Sequence, residues 1–290
     1  MAAFRVLQHR QQILMQIKGS ESVTSYCPAL HLGCAGWAIT KSADMRFPSK
    51  GSHLERYARE LSAVEINSSF YRPHRVTTYR RWAKSTPPSF QFAVKAPRSV
   101  THEAGLSNVQ SELARFLDEV QNLDDRLGPV LLQLPPSLVF DASSAYVTFA
   151  QLRQRFDGSV VCEPRHDSWL TPAALTALSH FRIPLVQPDP PMVKGCIPSI
   201  ADRTIAYHRL HGSPRMYYSS YERGFLSRLA RRITDELVCC QDVWCIFDNT
   251  AAGAAIENAF ELLNLVEELT GNHVIHSETS ATRDPSYGVG

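Results

Sequence analysis

Short runs of apolar, largely β-branched residues recur along the chain, and each gives way to polar residues or turn formers. Ser159-Val160-Val161-Cys162 shows the pattern: it follows Asp157-Gly158 and leads into Glu163-Pro164-Arg165-His166. A strand buried on both faces reads this way, with its polarity displaced to its exit. The same reading predicts strands at Leu30–Cys34, Ala63–Ser68, Phe90–Val94, Val130–Leu134, Ile183–Gln187, Ile205–Leu210 and Val243–Phe247. Between them the apolar spacing lengthens to three and four residues. Leu54, Tyr57, Ala58 and Leu61 form one stripe, and Leu113, Phe116, Leu117, Val120, Leu123 and Leu127 another, which predicts helices over 52–61 and 111–127. Further helices are predicted over 77–84, 143–156, 222–237 and 254–269. Thr171-Pro172 supplies a cap and a first-turn proline for one running to His180.

Eight strands at roughly thirty-residue intervals, mostly followed by helices, predict a parallel sheet with crossover helices. Eight such repeats in 290 residues fit a TIM (β/α)8 barrel, an α/β fold in one domain, better than an open Rossmann sheet. The proline-rich connection around 190–203 carries no helical pattern, so one repeat is expected to be degenerate.

Composition refines this picture little. The chain is 44% hydrophobic and 20% charged with a net charge of +2, an ordinary globular balance that neither announces nor excludes nucleic acid. No apolar run reaches membrane-spanning length, so no membrane partner is expected. The seven cysteines include no C-x-x-C pair and lie mostly in apolar contexts, which suits free thiols in a reducing, cytoplasmic setting. The barrel is expected over 29–270. Residues 1–28, with no acid before Glu21, are expected to be a poorly ordered extension, a transit peptide being the alternative; 271–290 reads as a polar tail. There is no G-x-G-x-x-G or Walker pattern to suggest a nucleotide cofactor. Nothing in the sequence indicates oligomeric state.

TIM barrels carry their sites at the C-terminal ends of the strands. In this chain those ends hold Trp37; Glu65 and Asn67; Lys95 and Arg98; Gln133; Glu163, Arg165 and His166; Asp189; Arg209 and His211; Asp248 and Asn249. Lys95, Arg98, Arg165 and Arg209 could hold an anion, since guanidinium forks match phosphate and carboxylate. Glu65 or Glu163 would then serve as general base, with His211 or Lys95 as acid. A divalent metal on Glu65, Glu163, His211 and Asp248 is the weaker alternative, disfavoured by four neighbouring cations. Glycoside hydrolysis by Glu65 and Glu163 comes third. Glu163 and Arg209 could equally be a structural pair closing the mouth, and Gln133 a single buried amide. Trp37, Tyr71, Trp169 and the tyrosines of 211–221 could stack a sugar or base.

GCAGW, VEINSSFY, FAVKAPRSVTH, GPVLLQLPPS, EPRHDSW, YHRLHGSPRMYYSSY and FDNTAAGAAIENA, in this order, resemble the YecE-like family, domain of unknown function 72, from about His31 to Leu269. The resemblance implies a TIM-barrel-like fold and a cytoplasmic bacterial protein, and it brings no settled reaction. The motif positions it carries over are Glu65, Asn67, Lys95, Arg98, His102, Gln133, Glu163, Arg165, His166, Arg209, His211 and Asn249. Pro164, Asp167, Asp248 and Thr250 depart from its usual pattern, the last two changing the charge at the eighth strand. At fold level the family is similar to metal-dependent barrels such as endonuclease IV and xylose isomerase, an analogy only. The leading expectation is an enzyme, hydrolase or isomerase, acting on a small or terminal anionic substrate such as a phosphorylated sugar or nucleotide-like group. A nucleic-acid-binding module and a catalytically idle scaffold are the alternatives.

Overall fold

A computed structural model describes residues 28–194 and 204–271. The predicted N-terminal extension up to residue 27, most of the degenerate connection and the tail from 272 lie outside the described residues. Eight parallel strands make one sheet: β1 (Ala29–Ala35), β2 (Ala63–Ile66), β3 (Gln91–Lys95), β4 (Leu127–Gln133), β5 (Val160–Glu163), β6 (Gln187–Asp189), β7 (Ile205–Leu210) and β8 (Asp242–Phe247). Their order is β5-β4-β3-β2-β1-β8-β7-β6. The two ends of that order meet. Cys162 of β5 pairs with Leu185 just ahead of β6. Its N–H donates to the Pro184 carbonyl at 2.9 Å, and its carbonyl accepts from the Val186 N–H at 2.8 Å. The sheet therefore closes into a TIM-like barrel.

The helices packed outside are α1 (His53–Tyr57), α2 (Ser68–Tyr71), α3 (Val76–Lys84), α4 (Gln110–Val120), α5 (Ala142–Arg155), α6 (Pro172–His180), α7 (Arg223–Cys239) and α8 (Ala254–Thr270). Their starts follow local chemistry. Ser52 and Glu55 form a reciprocal capping box for α1, Asp141 caps α5, and Thr171 caps α6 ahead of Pro172. None of the described helices is long and apolar enough to cross a membrane.

Two predicted elements differ. The helix expected over 111–127 stops at Val120; a 3-10 turn, Gln121–Arg126, breaks at Asp124 (φ 49°), and Leu127 is already in β4. Leu123 remains buried in the tighter turn, so the apolar stripe persists although the α-helix does not. The strand expected over 183–187 pairs with β7 only at Gln187–Asp189. Pro184 and Pro188 have no N–H to give a ladder, which leaves this the weakest part of the wall.

Most of the apolar core lies between strands and helices. A second apolar layer fills the barrel itself: Ala35, Ala63, Ala93, Leu131, Val161, Val186, Ile205, Tyr207, Trp244 and Ile246. The alanines on β1, β2 and β3 leave room for Trp244 and Tyr207, whose rings stack at 5.8 Å and 9°.

Candidate functional site

Side chains two residues apart on a strand share a face. The residue two positions beyond each of Ala63, Ala93, Leu131, Val161, Tyr207 and Ile246 is Glu65, Lys95, Gln133, Glu163, Arg209 and Asp248 respectively. The barrel's apolar filling thus ends in one polar layer at the C-terminal mouth.

Arg209 is the hub of that layer, fully buried and with all five guanidinium N–H groups engaged. Its Nε donates to Glu65 Oε2 at 3.0 Å, and Nη2 donates to Glu65 Oε1 at 2.7 Å and Asp248 Oδ2 at 3.1 Å. Nη1 donates to Glu163 Oε2 at 2.7 Å and Gln133 Oε1 at 3.3 Å. Glu65 Oε2 also accepts from the Tyr207 hydroxyl at 2.8 Å. Glu163 Oε1 accepts from Arg165 Nε at 3.0 Å, with His211 Nε2 at 3.4 Å on its other side. Burial raises the Glu163 carboxyl, but Arg209, His211 and Arg165 outweigh it and hold it well below the usual carboxylate range. Removing one member of such a network leaves buried charge uncompensated, which costs about 3–5 kcal/mol.

These contacts revise several expectations. Arg209 has no donor left for a substrate anion; it holds the carboxylates apart. Glu65 and Glu163 are both fully buried with every oxygen occupied, so neither is placed to take a substrate proton or attack a sugar. Among the described residues no group of three or more His, Cys, Asp or Glu is arranged to hold a metal ion, and Glu65, Glu163 and Asp248, three of the four candidate ligands, are bonded by Arg209. His211 is likewise buried, with Nδ1 3.0 Å from Asp248 Oδ2. Burial lowers its pKa, but the bonds to Asp248 and Glu163 prevail and hold it above the ordinary histidine value.

Two groups of this layer remain open. Asp248 Oδ1 has no partner among the described residues, and the side chain is 11% exposed. Lys95 is 8% exposed and forms no ion pair among them; its Nζ lies 4.1 Å from the Phe70 ring centroid. Burial and then the Arg209 charge lower the Lys95 pKa to about 8, against the pull of Glu65, Asp248 and Glu163. Arg165 flanks them: Nη2 is 3.0 Å from Glu163 Oε1 without the alignment of a hydrogen bond, and the Tyr217 hydroxyl also interacts with this guanidinium. His102 packs edge-on against Phe70 at 4.8 Å, its pKa lowered by burial and then by Lys95, Arg165 and Arg98. Three cations thus gather around one histidine and disfavour its protonated form.

The remaining predicted residues lie farther out. Arg98 pairs at the surface with Glu103 at 2.9 Å. Asn67 opens α2, its Oδ1 buried without a hydrogen-bond partner among the described residues. His166 Nδ1 receives the Ser168 hydroxyl (2.8 Å) and the Ser168 N–H (3.2 Å), which pins the loop after β5. Asn249 is buried and donates to the Ser219 carbonyl and Asn258 Oδ1, both at 2.9 Å, tying the loop over the mouth to α8. Trp37 is half-buried and packs edge-on against Trp82 at 5.0 Å; Trp169 is core, its indole N–H bonded to the Leu138 carbonyl, and is not a stacking platform. Sequence reasoning missed Tyr207, Phe70 and Asn258. Tyr207 had a signal, since it shares a face with Arg209; Asn258 had one as a polar residue in an apolar helix stripe. Phe70 had none.

Comparison with known proteins places this geometry. The chain is 25% identical to UPF0759 protein YunF of Bacillus subtilis over 269 residues, covering 82% of this chain and 95% of the relative. It is 30% identical to UPF0759 protein YecE of Escherichia coli K12 over 106 residues, 37% of this chain and 38% of that one. A crystal structure of a DUF72 family protein from Thermotoga maritima superimposes with a TM-score of 0.69 at 22% identity, over 84% of this chain and all of the other. One from Enterococcus faecalis gives 0.69 at 19% identity, over 82% and 95%. A family model described as Protein of unknown function DUF72 matches residues 31–283, all of the barrel but the first two residues of β1, and the chain belongs to that family.

Proposed function

We propose that the barrel mouth is the active site of an enzyme that moves protons on a small anionic substrate. The carrying observation is that Arg209 binds the three carboxylates of the polar layer, while Lys95 Nζ forms no ion pair, and Asp248 Oδ1 and Arg165 Nη2 no hydrogen bond, among the described residues. An amine whose pKa is about 8 is suited to giving and taking protons near neutrality. Arg165, anchored through Nε to Glu163, offers Nη2 to an anion, and Lys95 and Arg98 add charge of the same sign around His102. In this reading Glu65, Glu163, Arg209 and His211 are the rigid electrostatic floor, and Lys95 and Asp248 do the chemistry.

Thermal shift tests it, with phosphate, sugar phosphates, the matching free sugars and short oligonucleotides as ligands. A ligand at a hundred times its Kd adds about 2.7 kcal/mol, a rise of several degrees for a domain this size. The expected result is a rise with phosphorylated compounds only, abolished in Arg165→Ala. A rise with oligonucleotides alone, or one untouched by Arg165→Ala, would overturn the reading.

A further inference from the structure

The chain uses lysine sparingly. It has 30 lysines and arginines, but only Lys18, Lys41, Lys50, Lys84, Lys95 and Lys194 are lysines. Lys41, Lys50, Lys84 and Lys194 are exposed, and Lys95 alone among the described lysines is buried. Every other cation of the barrel mouth is an arginine. A guanidinium stays protonated and binds; a buried ammonium gives up its proton and becomes a nucleophile.

The surroundings of Lys95 favour that second role. Its Nζ lies over the Phe70 ring, whose edge-on neighbour is His102. Three carboxylates share the polar layer with it, yet Arg209 bonds all three, and none of them forms an ion pair with the amine among the described residues. Burial and the neighbouring Arg209 charge favour the neutral, nucleophilic amine, against the pull of the carboxylates and of the Phe70 ring face on the ammonium. Two strand-borne contacts hold it in place: the Lys95 carbonyl accepts from the Ser69 hydroxyl at 2.7 Å, and the Ala96 N–H donates to the Leu131 carbonyl at 2.9 Å.

We infer that Lys95 is a covalent catalytic residue whose amine condenses with the carbonyl group of an aldehyde or ketone substrate, while Arg165 holds that substrate's anionic group. The Nζ lone pair attacks the carbonyl carbon, the C=O π pair moves to oxygen, and one of the two nitrogen protons passes to that oxygen, giving a carbinolamine. The nitrogen lone pair then pushes out the hydroxyl, which takes a second proton from solvent and leaves as water. The product is a protonated imine; amine and carbonyl give imine and water, and no oxidant, reductant or metal is consumed. The imine withdraws electrons from the adjacent carbon, and a proton lost from that carbon passes to Asp248 Oδ1, the open carboxylate oxygen of the same layer. The substrate class is a small oxo acid or oxo phosphate. This inference rests on the reading of the mouth as a small-anion site and adds the bond that is made there.

The test is reductive trapping. The whole protein is incubated at pH 7.5 with glycolaldehyde phosphate, and in parallel with glycolaldehyde, then reduced with borohydride and mapped by peptide mass spectrometry. A pKa of about 8 leaves roughly a quarter of Lys95 unprotonated at that pH, against about one part in a thousand for an ordinary lysine. The expected result is a reduced adduct at Lys95, formed about tenfold or more faster than at Lys41, Lys50, Lys84 or Lys194. It should be lost in Lys95→Arg and in Lys95→Met, both checked for folding by their melting transitions. Labelling no faster at Lys95 than at the exposed lysines would overturn the inference. A parallel thermal shift with glycerol phosphate, which has no carbonyl, separates the two claims. A shift there without trapping at Lys95 leaves the anion site standing and removes the imine. Trapping by glycolaldehyde with no shift from any phosphate keeps the imine and removes the anion site.

Discussion

At the residue scale the account turns on the contrast between Arg209 and Lys95, two cations on the same floor. Arg209 satisfies five acceptors and is held charged; Lys95 has an aromatic face, a fixed cation nearby and no ion pair among the described residues. Its folded pKa is about 8 against an ordinary 10.5, so between those values the unfolded chain binds a proton that the native protein does not. Stability therefore rises with pH across that window, and the whole burden is present below pH 8, about 3 kcal/mol at 1.36 kcal/mol per unit. Lys95→Met is expected to stabilise the protein by up to that amount at pH 7, the gain fading as pH rises from 8 towards 10.5. Urea denaturation of both proteins at pH 7 and pH 10 measures it. A variant less stable than the parent at pH 7 would mean that the ammonium is held by partners after all. Which residues reach the mouth was legible, because alternation along a strand carries Glu65, Lys95, Glu163 and Arg209 there. Which of them meet was not. Glu65 and Arg209 are 144 positions apart, and nothing in either strand says that one guanidinium will bind three carboxylates.

At the element scale, most strands and helices followed from apolar spacing, and the exceptions have local causes. The helix predicted over 111–127 ran too long because a 3-10 turn keeps Leu123 on the same buried side as an α-helix would. The sixth strand was displaced because its prolines cannot donate to a ladder. Gly33 shows the reverse case, a residue that looks neutral in sequence and is demanded by its neighbours. It faces Ala63 across β1 and β2, and a Cβ there would run into the Ala63 carbonyl, with the Tyr57 hydroxyl only 2.9 Å away. That hydroxyl already donates to the Ala63 carbonyl at 3.1 Å and accepts from the Cys34 N–H at 2.7 Å, so it cannot move without losing both bonds. Gly33→Ala is expected to lower stability by about 1–3 kcal/mol, the range for forcing an extra carbon into a packed core. Thermal or urea unfolding reads this directly; an unchanged midpoint would show that β1 and β2 can separate at no cost.

At the scale of the whole molecule, the barrel is a one-ended object. Its interior is apolar from Ile205 and Trp244 up to Val161 and Ile246, and its polarity is concentrated in one layer at the C-terminal mouth. The charges of that layer nearly balance within the protein, with Arg209 matched to Glu65, Glu163 and Asp248, and Arg165 to Glu163. What remains for a ligand is an amine of lowered pKa, a carboxylate oxygen and the Nη2 of Arg165. The measurement that tests this most directly is the titration of the lysine Cε carbons by NMR in protein labelled with 13C-lysine, since six lysines give a spectrum simple enough to assign with Lys95→Arg. One signal, Lys95, is expected to titrate near 8, well below the exposed lysines, and to move upward when phosphate or glycerol phosphate is added. A Lys95 signal titrating near 10.5 with the others, and indifferent to phosphate, would contradict the account.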